Sequence, residues 1–267
     1  MMPPHVNPLS GPAASLYSER MPNILILLPQ TDFDPTEVAV PWAALSRAGH
    51  HVTFATETGD PASCDPVTLT GTGLPFYAGM MKARAANRAL YDTMAASPAF
   101  QNPIAWHDVD PAGFDAFHFP GGHAPGMKPY LESPIIQQIA LAAFAADKPV
   151  SAICHGVIPL VRAKRADGHA LLHGRKTTAL TNSQENFAVR LTKHALGSHY
   201  RTYPQSVEDE VKAALASPAD FQTGSLFPSF ATEARPDSGF IVQDGNYISA
   251  RWPGDAWTLA TAFCRMV

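Results

Sequence analysis

The stretch Pro149-Val150-Ser151-Ala152-Ile153-Cys154-His155-Gly156 decides the fold. A short apolar run leads into a cysteine that has small residues, Ala152 and Gly156, two places to either side. This is the steric pattern of the strand-to-helix elbow of hydrolases, where small neighbours permit a tight turn that lifts a nucleophile above a sheet. Cys154 is therefore expected at the carboxyl end of a buried strand, with the start of the following helix favouring thiolate over thiol. His155 could orient or deprotonate it, provided the elbow backbone brings adjacent side chains together.

Working outward, Asn23–Leu28 is a short apolar run closed by Pro29, as a strand buried on both faces of a parallel sheet reads, and Ala116–Phe119 is a further short strand broken by Pro120-Gly121-Gly122. Asp34-Pro35-Thr36-Glu37 reads as a helix start, with Asp34 as N-cap, Pro35 at the first helical position and Glu37 closing a capping box. That helix should end near Gly49, and His51–Ala55 should be the next strand, giving a right-handed β-α-β opening. Further helices are expected over 82–95, 133–146, 156–166, 184–194 and from Ala256, with a short strand over 177–180. Phe240–Gln243 and Tyr247–Ala250 flank Asp244-Gly245-Asn246, a hairpin signal. The alternation predicts an α/β protein with a doubly wound, mostly parallel sheet, whose site lies beyond the carboxyl ends of its strands. Residues 1–20 read as a flexible extension, residues 21–267 as one domain, and residues 59–111 as an insertion forming a lid or site edge.

Of the 267 residues, 46% are apolar and 16% charged, which suits a globular chain with a large core. Nineteen Lys and Arg against 23 Asp and Glu, without blocks of like charge, make nucleic acid and anionic membrane poor partners. The chain has neither a signal-peptide pattern nor an apolar run of the roughly 20 residues that would span a bilayer. Cys64, Cys154 and Cys264 are widely spaced and odd in number, so a reducing, cytoplasmic setting is the simpler reading.

Glu37 should lie on the same rim as Cys154, where burial and a neighbouring thiolate would raise its pKa into the range of a general acid. Against this stands its complete structural role in a capping box. Gly121-Gly122-His123 follows a strand and could aim backbone N–H groups at a developing oxyanion, joined by the N–H of His155. His118 and His123 invite suspicion as metal ligands with Glu37 or His107, but their spacing matches no metal motif, so no metal is expected. Arg251 and Asp255 read as a structural ion pair.

Glu37 after the first strand, Phe119-Pro120-Gly121-Gly122-His123 and Ala152-Ile153-Cys154-His155-Gly156 together resemble the DJ-1/PfpI superfamily. The insertion before residue 116 and the Gly-Gly-His form resemble its Hsp31-like branch, which includes glutathione-independent glyoxalases and stress chaperones. The resemblance implies a flavodoxin-like fold, usually a homodimer, with Cys154 as nucleophile, His155 beside it and Glu37 as acid/base. Gly122 and His155 would supply the oxyanion N–H groups, and Glu185 is the possible carboxylate that orients His155. It further implies a small aldehyde or carbonyl substrate and no cofactor: a 2-oxoaldehyde such as methylglyoxal would become a 2-hydroxy acid through a Cys154 hemithioacetal. Such a substrate would need a tight pocket, which Phe76, Tyr77 or Trp106 of the insertion would shape. Two other readings stand beside this one, a cysteine hydrolase using His155 as base and a holdase chaperone or oxidant sensor. Glutamine amidotransfer is disfavoured, because the chain contains no His-x-Glu.

Overall fold

A computed structural model describes residues 21–74, 76–225 and 229–267, so the extension 1–20 and the side chains of Phe76 and Tyr77 lie outside the described residues. The strands are β1 (Asn23–Leu27), β2 (Thr31–Phe33), β3 (His51–Thr56), β4 (Ser63–Cys64), β5 (Ile104–Ala105), β6 (Ala116–Phe119), β7 (Val150–Ile153), β8 (Ile241–Asp244) and β9 (Tyr247–Ala250). Seven of them form one sheet in the order β5-β3-β1-β6-β7-β9-β8, and β2 pairs with β4 in a small second ladder. Within the large sheet only β8 runs antiparallel, as the first arm of the hairpin at Gly245. This is the flavodoxin-like, doubly wound architecture that the alternating pattern predicts.

Every residue of β6, β7 and β9 is buried, as is β1 from Ile24 to Leu27, so helices cover both faces of the central strands. That double burial is why these strands read as short, mostly apolar runs rather than alternating ones, with His118, Ser151 and Ser249 as their buried polar members. The helix Pro35–Arg47 packs against two others, Ala85–Ala95 and Ala256–Cys264. The chain leaves β1 toward β3 on one side while β6 docks on the other, which opens a crevice at the carboxyl ends of β1 and β6.

Three expectations about elements change. Residues 177–180 form no strand; Thr177 makes only an isolated bridge to Phe221, and the place beside β7 is taken by β9. The Thr178 N–H goes instead to the Ser249 side chain, 2.9 Å away. The helix expected over 156–166 is a 3-10 turn, Cys154–Val157, followed by a five-residue α-helix, Ile158–Arg162. The segment 59–111 is not wholly peripheral: it contributes β4, the edge strand β5 and the helix Ala85–Ala95. Its Trp106 belongs to the core, with Nε1 donating to the Leu28 carbonyl at 3.0 Å, and is no lid residue.

Candidate active site

Cys154 follows β7 with φ of 59°, the left-handed region that a non-glycine residue enters only under constraint. Close packing around the elbow supplies the constraint. A Cβ on Gly121 would lie 2.7 Å from the His155 nitrogen and 2.8 Å from Cys154 Cβ, and one on Gly156 only 2.1 Å from the Phe119 carbonyl oxygen. The unusual backbone brings adjacent side chains together, with Cys154 Sγ and His155 Nδ1 at 3.6 Å.

Glu37 arrives on the same rim, but not as the capping box requires. The Asp34 side chain caps the helix, accepting from the N–H groups of Thr36 at 2.8 Å and Glu37 at 3.1 Å. The reciprocal half is missing: the Asp34 N–H goes to the Gly121 carbonyl, and Glu37 Oε2 accepts from the Gly121 N–H at 2.9 Å. The carboxyl is thus released from capping and lies near enough to Cys154 for each group to shift the other's pKa, while Oε1 has no hydrogen-bond partner. Gly121 is thereby assigned to holding Glu37; with its N–H committed, it is not the oxyanion donor expected of it.

The Glu37 backbone is fixed by a device the sequence contained unread. Pro41 stands four residues on and has no N–H, so the Glu37 carbonyl lacks its helical partner. His118 on β6 fills the vacancy through Nε2 at 2.8 Å, while its Nδ1 meets Ser151 Oγ on β7 at 2.6 Å. Because a carbonyl only accepts, Nε2 carries the proton and Nδ1 accepts from the serine. Burial holds His118 at a pKa of about 4, consistent with this neutral form. His118 is therefore a brace across three elements of the fold and takes no part in a metal site.

His155 is neutral as well: burial, then His123 and Arg162, hold its pKa well below the usual histidine range. Its Nε2 faces Thr202 Oγ1 at 3.2 Å, and that hydroxyl also contacts the His123 carbonyl at 2.6 Å. A hydroxyl has one proton, and the carbonyl can only accept it, so Thr202 must accept from His155 Nε2–H. His155 Nδ1 is consequently a free lone pair directed at Sγ. Glu185 is not the group that orients this ring: its carboxylate binds Arg201 at 3.0 Å and the Val207 N–H at 3.0 Å. The strand expected to deliver Glu185 does not form, and nothing in the sequence around Thr202 marks it.

Burial sets the charge state of the pair. Glu37 is raised well above the usual carboxylate range, first by burial and then by Asp34, itself pushed up to about 7. Cys154 is also raised, by burial and then by the Glu37 charge, and the His155 backbone N–H offsets only part of this. The resting sulfur is a thiol, contrary to the thiolate expectation, because a five-residue helix offers little dipole and the group is 1% exposed. His123 packs on His155 with ring centroids 4.9 Å apart and on Tyr200 at 5.6 Å. Tyr130 sits near enough to Glu37 to feel its charge, and its buried hydroxyl has no partner. Arg251 and Asp255 form the expected structural pair, 2.8 Å apart and buried, with Arg251 also bonded to the carbonyls of Thr223 and Ser225.

The ThiJ/PfpI family-like profile matches residues 28–214, a span that includes the elbow, Glu37 and the Gly-Gly-His turn. The chain belongs to this family. Among similar proteins, an uncharacterized protein of Schizosaccharomyces pombe is 31% identical over 144 residues, 52% of each chain, so the match spans about half the length of that protein. A deglycase of Thermococcus kodakarensis is 27% identical over 61% of this chain and 69% of its own. Of solved structures, glyoxalase III from Candida albicans superposes with a TM-score of 0.66 at 20% identity, covering 92% of this chain and 97% of that one. Such structural likenesses establish the DJ-1/PfpI fold. Among the described residues no helix is long and apolar enough to cross a membrane.

Proposed function

We propose that this chain is a cofactor-independent cysteine enzyme of the glutathione-independent glyoxalase type, converting a 2-oxoaldehyde to a 2-hydroxy acid. The observation that carries this reading is the His155 Nδ1 lone pair 3.6 Å from the Cys154 sulfur, in a buried site where the Glu37 carboxyl lies near enough for it and the thiol to shift each other's pKa. A thiol, a protonated acid and a neutral base, all uncharged at rest, suit an isomerisation in which protons only move between carbons and oxygens.

In this reading the sulfur attacks the aldehyde carbon while His155 Nδ1 takes the thiol proton and Glu37 gives its own to the aldehyde oxygen. The hemithioacetal thus forms beside a carboxylate and an imidazolium. Glu37 then removes the remaining hydrogen on that carbon as a proton, and His155 protonates the neighbouring ketone oxygen, giving an enediol. Glu37 returns the proton to the second carbon as the first hydroxyl gives its proton to His155, leaving a thioester: one carbon is oxidised and its neighbour reduced by the same two electrons. Glu37 deprotonates water for attack on the thioester, and the expelled sulfur recovers its proton from His155. The N–H groups of Gly122 and His155 are the proposed oxyanion donors.

The relatives named deglycases favour a second reading, in which the same carbonyl capture strips an adduct from a thiol or amine. Purified protein should convert methylglyoxal to lactate without glutathione, and Cys154→Ala and Glu37→Gln should each lower turnover by about a hundredfold or more. Turnover persisting in Cys154→Ala overturns the mechanism. Release of adducts with no lactate formed favours the deglycase reading. A homodimer in the cytoplasm belongs to the same proposal, supported by the family resemblance and by three free cysteines.

A further inference from the structure

The fold gathers a second chemistry at the elbow, one that residue spacing did not signal. One ligand atom from each of His123, Cys154 and His155 lies within 4.8 Å of the others. The two rings are prepared alike. His155 donates its far N–H to Thr202, as argued above, leaving Nδ1 bare toward the sulfur. The His123 ring is hydrogen-bonded to the Tyr200 backbone, and its Nδ1 is buried with no partner. Metal-bound histidines commonly have this arrangement, the far nitrogen donating to an acceptor that fixes the ring and the near nitrogen left free.

We propose that His123, Cys154 and His155 form a three-ligand site for a thiophilic divalent cation, zinc fitting best, with its fourth position open. The Sγ to Nδ1 distance of 3.6 Å equals the edge expected of a tetrahedron with Zn–S of about 2.3 Å and Zn–N of about 2.1 Å. The widest separation closes with a displacement of the His123 ring of about 1 Å. One thiolate and two imidazoles select zinc, cobalt or copper over magnesium and calcium. His123 is partly exposed while Cys154 and His155 are buried, so the ion would enter along the His123 edge. Binding replaces the S–H bond by an S–metal bond and releases one proton to solvent. The ion takes the electron pair that carbonyl capture would use, and its binding depends on ligand geometry alone, with no carbonyl substrate required.

Titration of the full chain with cobalt(II), oxygen excluded, should give a thiolate-to-cobalt absorption that saturates at one equivalent, disappears on adding zinc and accompanies release of one proton. Cys154→Ser should abolish the band, and His123→Gln should weaken binding tenfold or more. Exchanging the stacked pair His169 and His173, the first exposed and the second half-buried, for glutamine should leave it unchanged. A folded wild-type chain with no such band, or a band that His123→Gln leaves at full strength, overturns the site. Should His123→Gln fail to fold, X-ray absorption of the zinc-loaded wild type decides: one sulfur at about 2.3 Å with two imidazole nitrogens supports the site, and no sulfur shell overturns it.

Discussion

His118 Nε2 donates to the main-chain carbonyl of Glu37 at 2.8 Å, occupying the bond that Pro41 removes from the helix. His118→Phe leaves that buried carbonyl without a partner and should cost about 1–3 kcal/mol, read from urea unfolding. Pro41→Ala restores a helical N–H, so the same His118→Phe change should cost less in a Pro41→Ala background. Equal costs in the two backgrounds would show that proline and histidine act independently.

Thr202 fixes the proton of His155 on Nε2, so Thr202→Val should let the ring tautomerise and rotate. On methylglyoxal we expect kcat to drop about tenfold to a hundredfold with little change in KM, and Thr202→Ser to restore it. A valine variant with the wild-type kcat removes Thr202 from the positioning role.

The thiol of Cys154 is raised by burial and by Glu37, so alkylation by iodoacetamide should be slow near neutrality and accelerate with pH. Glu37→Gln deletes the negative charge that opposes thiolate formation. Alkylation of that variant at alkaline pH should therefore be faster than in the wild type even as turnover is lost. Mass spectrometry should find Cys64 unmodified, its thiol being buried and pushed up to about 12.

Asp34 is raised from 3.8 to about 7, mainly by burial, so the folded chain holds a proton there that the unfolded chain has already lost. Its contribution is fully present below about pH 4 and fades as pH rises to about 7. Asparagine caps a helix as well and carries no such proton. The stability of Asp34→Asn relative to the wild type should therefore climb across that window, by up to about 1.4 kcal/mol per pH unit, and level off above it. Comparing the two proteins also cancels the opposing slope from the buried histidines. A constant difference from pH 4 to 8 in urea melts would refute the assignment.

Much of this was legible. Val150–Ile153 and Ala116–Phe119 are strands with the predicted limits, since burial on both faces leaves a mostly apolar run, interrupted only by Ser151 and His118, which bond each other. The Asp34-Pro35 start was readable because capping is local chemistry. Glu37 was legible as a candidate, but its freedom from the capping box depends on Gly121, which is distant in sequence. Thr202 left no trace, because a hydroxyl orienting a histidine is defined only by where two loops meet. The strand expected at Thr177 failed for a tertiary reason: Ser249 and Asp220 claim the N–H groups that a ladder would need. Pro41 was the missed signal, since a proline four residues after a candidate acid leaves a carbonyl that something else must satisfy.

The bonds that build the pocket are long in sequence: Glu37 to Gly121 spans 84 residues, Glu37 to His118 spans 81 and His155 to Thr202 spans 47. No local segment can assemble such a pocket ahead of the sheet, so reactivity must appear late, when most non-local pairing is complete. At translation rates of about 5–20 residues per second, Thr202 leaves the ribosome about 2 s after Cys154 at the fast end and about 10 s after it at the slow end. During that interval the nascent chain carries an ordinary, unburied thiol, and it must survive oxidants and metals until the enclosure that governs its protons has closed around it.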